Sequence, residues 1–149
     1  MKDQTQMRVE ETHDIAACQA IRRAVFIEEQ GVSEAEEMDG LDDDCHHYLL
    51  WDDKTPIATL RVKPLDEIAK IQRVAVLKAY RGKGAGALLL QTVVRELPQD
   101  GFSKAVLGSQ VAAIPFYAKL GFAVYGPVYD DAGIDHRDME MTLAPPVWD

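Results

Sequence analysis

Arg81-Gly82-Lys83-Gly84-Ala85-Gly86 is the stretch whose reading decides the fold. It follows a β-branched run carrying Ile71, Val74 and Val76, and it opens the apolar segment Ala87-Leu88-Leu89-Leu90. A strand, a glycine turn and a helix start are expected in that order. A helix N-terminus carries unpaired backbone N–H groups and about half a positive charge, and glycines let a ligand come close to the backbone. The turn is therefore suited to a phosphate or pyrophosphate.

The glycine spacing narrows the ligand. A Walker loop needs Gly-Lys followed by Ser or Thr, whereas Gly82-Lys83 is followed by Gly84. The dinucleotide pattern G-x-G-x-x-G/A is met in form by Gly82, Gly84 and Ala87. That fold also wants an acidic residue ending the strand after the glycine helix, to hold a ribose, and the strand-like run 102–108 leads into Ser109 and Gln110. A dinucleotide-dependent oxidoreductase is disfavoured on this ground. What remains, Arg-x-x-Gly-x-Gly after a strand ending Val-Ala-Val, resembles the pyrophosphate loop of the GNAT superfamily of N-acetyltransferases, which bind acetyl-CoA.

Ile114-Pro115-Phe116-Tyr117-Ala118-Lys119-Leu120-Gly121-Phe122 is similar to the second signature of that superfamily, a short helix that carries a tyrosine and ends in Gly-Phe. Pro115 suits a first helical turn, Lys119 complements the dipole near the last, and Gly121 can take a left-handed cap. The two signatures stand in the family's order, joined by a strand-like run, and the resemblance spans about residues 57–143. The N-terminal third, with Arg22-Arg23-Ala24-Val25-Phe26-Ile27-Glu28-Glu29-Gln30-Gly31-Val32, then Glu37-Met38-Asp39-Gly40-Leu41-Asp42 and His47, resembles the ElaA-like branch.

A chain of 149 residues suits one domain, here residues 1–149. It has no run approaching the roughly 20 apolar residues of a membrane span, and residues 1–6 lack the apolar core of a signal peptide, so a cytoplasmic protein without a membrane partner is expected. Cys18 and Cys45 are read as free thiols. The net charge is −9, and nine acids with no Lys or Arg lie between Glu28 and Asp44, leaving the remainder balanced. Such acidity argues against nucleic acid as a partner. The acidic segment is either a patch that attracts a cationic acceptor or a solvated loop.

Strands are expected over residues 6–10, 47–51, 57–62, 69–76, 104–108, 123–129 and 138–143. Helices are expected from a Thr12 cap to Gln30, over residues 84–97, and around Tyr117; Pro145 and Pro146 end regular structure. The fold class is α/β in the α+β sense. Antiparallel strands first and a βαβα arrangement second give a mixed central β-sheet flanked by helices, and the resemblance implies that this is a GNAT fold with an antiparallel N-terminal half and a βαβα C-terminal half.

Acetyl transfer to an amine needs a held donor, a neutral amine, a polarised carbonyl and a proton for the departing thiolate. By the resemblance, Gly82, Lys83, Gly84, Ala85 and Gly86 present backbone to the pyrophosphate of acetyl-CoA, with Arg81 adding a charge-assisted contact. Val74, Ala75 and Val76 occupy the strand that grips the pantetheine arm, and the Val76 N–H is placed to polarise the thioester. Tyr117 corresponds to the family's general acid, since a phenol with a pKa of about 10 is protonated at neutral pH. His136 lies in a segment similar to one in a glyphosate-acetylating relative, where a histidine serves the acceptor, and histidine titrates in a range that suits a base. Plainer readings stand beside these: Arg81 as a surface cation, Val76 as a buried strand residue, Tyr117 as core packing and His136 as an exposed hairpin residue.

Glu28 and Glu29 are further candidates to take a proton or attract the amine, and water is another proton carrier. Arg73 interrupts an apolar strand and by alternation shares a face with Ile71 and Ala75, from which it could bind a carboxylate or phosphonate. The acidic segment argues for a cationic acceptor and the arginines Arg22, Arg23 and Arg73 for an anionic one; an amino-acid-like acceptor satisfies both. Cys45-His46-His47 beside Asp42, Asp43 and Asp44 lacks metal-ligand spacing, so no metal is expected. The resemblance implies an acetyl-CoA-dependent N-acetyltransferase, and relatives that form homodimers leave that state open here. The alternative is a noncatalytic CoA-binding sensor or interaction module on the same fold.

Overall fold

The computed structural model describes residues 6–144; residues 1–5, and Pro145 and Pro146 with the remaining C-terminal residues, lie outside them. The elements are β1 (Met7–Thr12), α1 (Ile15–Arg22), a π-helical continuation (Arg23–Glu29), α2 (Glu34–Glu37), β2 (His46–Asp52), β3 (Thr55–Leu65), β4 (Ile68–Val76), α3 (Ala85–Glu96), β5 (Lys104–Gln110), α4 (Ile114–Lys119), β6 (Ala123–Asp131) and β7 (Ile134–Thr142). The strands form one sheet in the order β1-β2-β3-β4-β5-β7-β6. Among the described strands only β4 and β5 run parallel, because the chain between them crosses over through α3. This is the mixed, helix-flanked sheet that the sequence predicts.

The helices cover both faces. On one, α3 buries Ala85, Leu89, Leu90 and Val93 against Leu50, Leu60, Val62, Ile71 and Leu107. On the other, Cys18 and Ile21 of α1 and Val25 of its continuation pack on Leu49 and Ala75. The neighbours Leu49 and Leu50 thus serve opposite cores, as the two-residue strand period requires. Each such aliphatic side chain contributes about 1.5–3 kcal/mol by leaving water. Thr12 does not cap α1, since it is still paired in β1 with His47. Asp14 takes that role, accepting the Ala17 N–H at 3.1 Å.

β4 carries an irregularity that organises everything near it. Arg73 has φ 56°, and the β3–β4 register shifts between Thr59 and Arg61. The extra residue sends Ile71 into the α3-side core and Ala75 into the α1-side core. The expectation that Ile71, Arg73 and Ala75 share a face therefore fails, because a bulge resets strand alternation. Beyond it β4 and β5 separate: they pair only from Ile68↔Lys104 to Ile71↔Leu107. β5 continues along β7, with Gly108 opposite Asp138 and Gln110 opposite His136, and the sheet opens between β4 and β5. Among the described residues no helix is long and apolar enough to cross a membrane.

Candidate active site

A cleft of about 730 Å³ occupies this opening, a volume in the range of small-molecule sites. Gly82, Gly84, Ala85 and Gly86 form one part of its wall, Val74, Ala75 and Val76 another, and Tyr117, Tyr129, His136 and Asp138 a third. Gly82 and Gly84 have φ 77° and 83°, in the left-handed region that favours glycine. Gly84 caps α3 without a side-chain hydrogen bond, and Leu88 N–H closes the first turn on its carbonyl at 3.0 Å. The N–H groups of Ala85, Gly86 and Ala87 precede that bond and are the donors available to an anion. A Cβ on Gly86 would stand 3.2 Å from Phe116 Cζ, so α3 and α4 meet closely there. Lys83 is exposed, with its ammonium 5.9 Å from the centre of the Tyr80 ring.

Leu77 N–H donates to Ile57 O at 2.9 Å. By strand alternation the preceding Val76 turns its own N–H and C=O to the opposite edge, the one that β5 has left. There Arg81 Nε donates to Val76 O at 3.0 Å. The rest of the Arg81 guanidinium is taken by Glu29, with bonds of 2.5 and 2.7 Å. The hydrogen bond from Arg81 holds the Glu29 carboxyl below its usual range. The expected pyrophosphate contact of Arg81 thus meets a competing intramolecular partner. Glu28 is exposed and off the cleft wall. At the cleft rim Gln110 Nε2 donates to Gln30 Oε1 at 2.9 Å.

Tyr117 is buried on α4, edge-on to Phe116 at 5.0 Å and to Phe122 at 6.1 Å between ring centres. Gly121 caps the helix end at φ 105°, as its position predicts. Burial pushes the Tyr117 phenol up to about 12, so it keeps its proton. His136 lies inside β7 rather than ahead of it, and it is 9% exposed, which corrects the reading of an exposed hairpin residue. Its Nδ1 lies 2.7 Å from Ile134 O. A carbonyl only accepts, so Nδ1 carries the hydrogen, and Nε2 has no hydrogen-bond partner among the described residues.

The acidic segment is neither a free patch nor a solvated loop throughout. Glu37 accepts from Arg22 Nε at 2.6 Å, and Asp42 accepts from Arg22 Nη1 at 2.8 Å and Arg61 Nη1 at 2.9 Å. Asp39 binds Arg61 through both oxygens, at 2.5 and 3.0 Å, and Arg73 Nη2 at 3.3 Å. Arg22, Arg61 and Glu37 are buried. Hydrogen bonding from Arg61 holds the Asp39 carboxyl at about 2; burial raises Asp42, but Gln19, Arg22 and Arg61 outweigh it and hold that carboxyl low. Arg73 lines the cleft while engaged with this cluster. The missed partner is Arg61; its signal was a charge inside the apolar run 57–62. Cys45, His46 and His47 do not converge, since His46 Nδ1 meets Glu11 at 3.2 Å and His47 Nε2 meets Asp42 O at 2.8 Å.

A seven-stranded mixed sheet split around an open β4 edge, with a glycine-capped helix beside the split, is the architecture of the GNAT fold. Residues 7–143 match the acetyltransferase (GNAT) domain, and the chain belongs to that family, whose general reaction is acetyl transfer from acetyl-CoA. YyaT of Bacillus subtilis is 34% identical over 132 residues, 87% of this chain and 89% of that protein. YjcF of the same bacterium, described as an uncharacterized N-acetyltransferase, is 33% identical over 120 residues, 80% and 86% of the two chains. The crystal structure of Escherichia coli ElaA matches with a TM-score of 0.80 at 27% identity, covering 91% of this chain and 99% of that one. A GNAT acetyltransferase from Elizabethkingia anophelis, whose structure has acetyl-CoA bound, matches with a TM-score of 0.72 at 20% identity, covering 93% and 99%.

Proposed function

We propose that this chain, acting as one domain, is an N-acetyltransferase that moves the acetyl group of acetyl-CoA to a primary amine of a small molecule or peptide, by direct attack in a ternary complex. The observation that carries this reading is that the first turn of α3, the free edge of Val76, Tyr117 and His136 share one cleft. The α3 N–H groups hold the pyrophosphate, and the pantetheine arm lies along the unpaired part of β4 like an added strand. Val76 N–H donates to the thioester oxygen and to the oxyanion that forms as the amine attacks. His136 Nε2 takes the ammonium proton, and the Tyr117 hydroxyl protonates the thiolate that leaves. Acetyl-CoA is a cosubstrate, and no step calls on a metal.

The test is thiol release from acetyl-CoA in the presence of lysine, spermidine, tryptamine and aniline, run beside a thermal shift with acetyl-CoA and with NAD. Stabilisation by acetyl-CoA alone, with amine-dependent thiol release, is expected. Stabilisation without turnover on a broad amine panel would support a CoA sensor, and stabilisation by NAD alone would overturn both.

A further inference from the structure

Tyr129, Asp138 and Gly108 line the same cleft as His136, and none of them has a part in the chemistry above. We propose that Tyr129 is a positioning residue for His136, anchored by Asp138 and admitted by the absent side chain of Gly108. This rests on His136 being the base.

The register places the four residues together. His136 is opposite Tyr129 across β6 and β7, and Gly108 is opposite Asp138 across β5 and β7. Tyr129 is rooted on the sheet-edge strand β6, yet its hydroxyl donates to Asp138 Oδ1 at 2.8 Å, so the ring reaches back across β7. On the way it stacks on the His136 imidazole, with centres 5.9 Å apart and planes at 26°. The register shift between Tyr125 and Tyr129 sets this aim, and Arg137 fixes it by donating twice to Gly126 O, at 2.9 and 3.1 Å. Burial and Asp138 push the Tyr129 phenol up, which keeps it a donor.

Glycine at position 108 fits this contact. It is not among the glycines with positive φ, so its backbone does not call for glycine. A Cβ there would overlap Tyr129 Oη. The empty volume above β5 is where the phenol ends.

The physical consequence concerns the freedom of the imidazole. The Nδ1–H bond to Ile134 O selects the tautomer but leaves the ring able to swing about that bond. The stacked phenol removes the swing, and a base must hold its lone pair to within about 0.5 Å and 10–20° of the productive geometry. Loss of the stack should therefore lower kcat while leaving the KM for acetyl-CoA unchanged, because the α3 turn lies elsewhere in the cleft.

The experiment uses Tyr129→Leu, Tyr129→Phe, Gly108→Ala and the Gly108→Ala/Tyr129→Leu pair, with His136→Ala as reference. Each is read by kcat and KM on the fastest of the four amines above, and by long-range proton–nitrogen NMR of the histidine rings, assigned with His136→Ala. Tyr129→Leu and Gly108→Ala should each cost about 10-fold to 10²-fold in kcat and shift and broaden the His136 ring signals, while the bond to Ile134 O keeps the Nδ1–H tautomer. Tyr129→Phe, which keeps the stack, should fall between these and the parent. In the double variant the Gly108 change should add nothing, since there is no phenol left to displace. A Gly108→Ala protein with parental kcat and parental His136 signals overturns the proposal, as do independent losses that multiply in the double variant. If none of the four amines turns over, the ring signals decide alone. A His136→Ala protein with parental kcat removes the base assignment instead, while the ring signals still test the stack.

Discussion

Asp39→Asn probes the buried arginine cluster, and its magnitude can be worked from the structure. The Asp39 carboxyl is held at about 2 against an ordinary 3.8, chiefly by the Arg61 hydrogen bonds. Linkage converts that depression into about 2 kcal/mol at neutral pH. The Asp39 side chain is 26% exposed, so screening by water brings the figure to about 1–2 kcal/mol. Arg61 keeps Asp42 at 2.9 Å, which spares the variant the larger cost of a buried cation with no partner. A fall in Tm of about 2–8 °C is expected. The sign with pH follows from a depressed carboxyl: its contribution is complete above 3.8 and is lost as pH falls through about 2. Urea titrations of parent and variant at neutral pH and at steps downward should show a constant gap to about pH 4 that then closes. Equal stability at neutral pH, or a gap that persists undiminished at pH 2, would refute the reasoning.

Four further outcomes test the cleft. Gly84→Asp puts a carboxylate at the α3 N-terminus and should abolish stabilisation by acetyl-CoA; a variant that still shifts would place the donor elsewhere. Tyr117→Phe should lower kcat by about 10²-fold to 10⁴-fold at constant acetyl-CoA affinity, and an unchanged rate would reduce Tyr117 to packing. In the parent the Tyr117 phenol holds its proton to about 12, so no loss of rate should set in as pH passes the ordinary tyrosine value of 10.0. Glu29→Gln frees the Arg81 guanidinium and should tighten acetyl-CoA binding about two- to five-fold, the scale of an exposed ion pair; weaker or equal binding by titration calorimetry would mean that Arg81 does not turn to the pyrophosphate.

Local chemistry made the scaffold legible. Gly84 must cap α3 because the strand-to-helix turn needs a left-handed residue, and Gly121 ends α4 for the same reason. Apolar periodicity told strands from helices, and the two glycine-bearing signatures carried the family. The His136 and Tyr129 pairing was not legible, because stacking across two strands depends on the register shift in β6. The pairing of Glu37, Asp39 and Asp42 was hidden for a similar reason: a run of acids looks solvated when the arginines that meet it, Arg22, Arg61 and Arg73, lie on α1, β3 and β4. Only the folded sheet brings those side chains within bonding distance. Residue types and their spacing along the chain thus determined the elements, their order and the glycine turn before α3, since those depend on neighbours in sequence. The bulge at Arg73, the parting of β4 from β5 and the company each charge keeps were decided by tertiary structure, where register and packing choose partners that sequence distance does not encode.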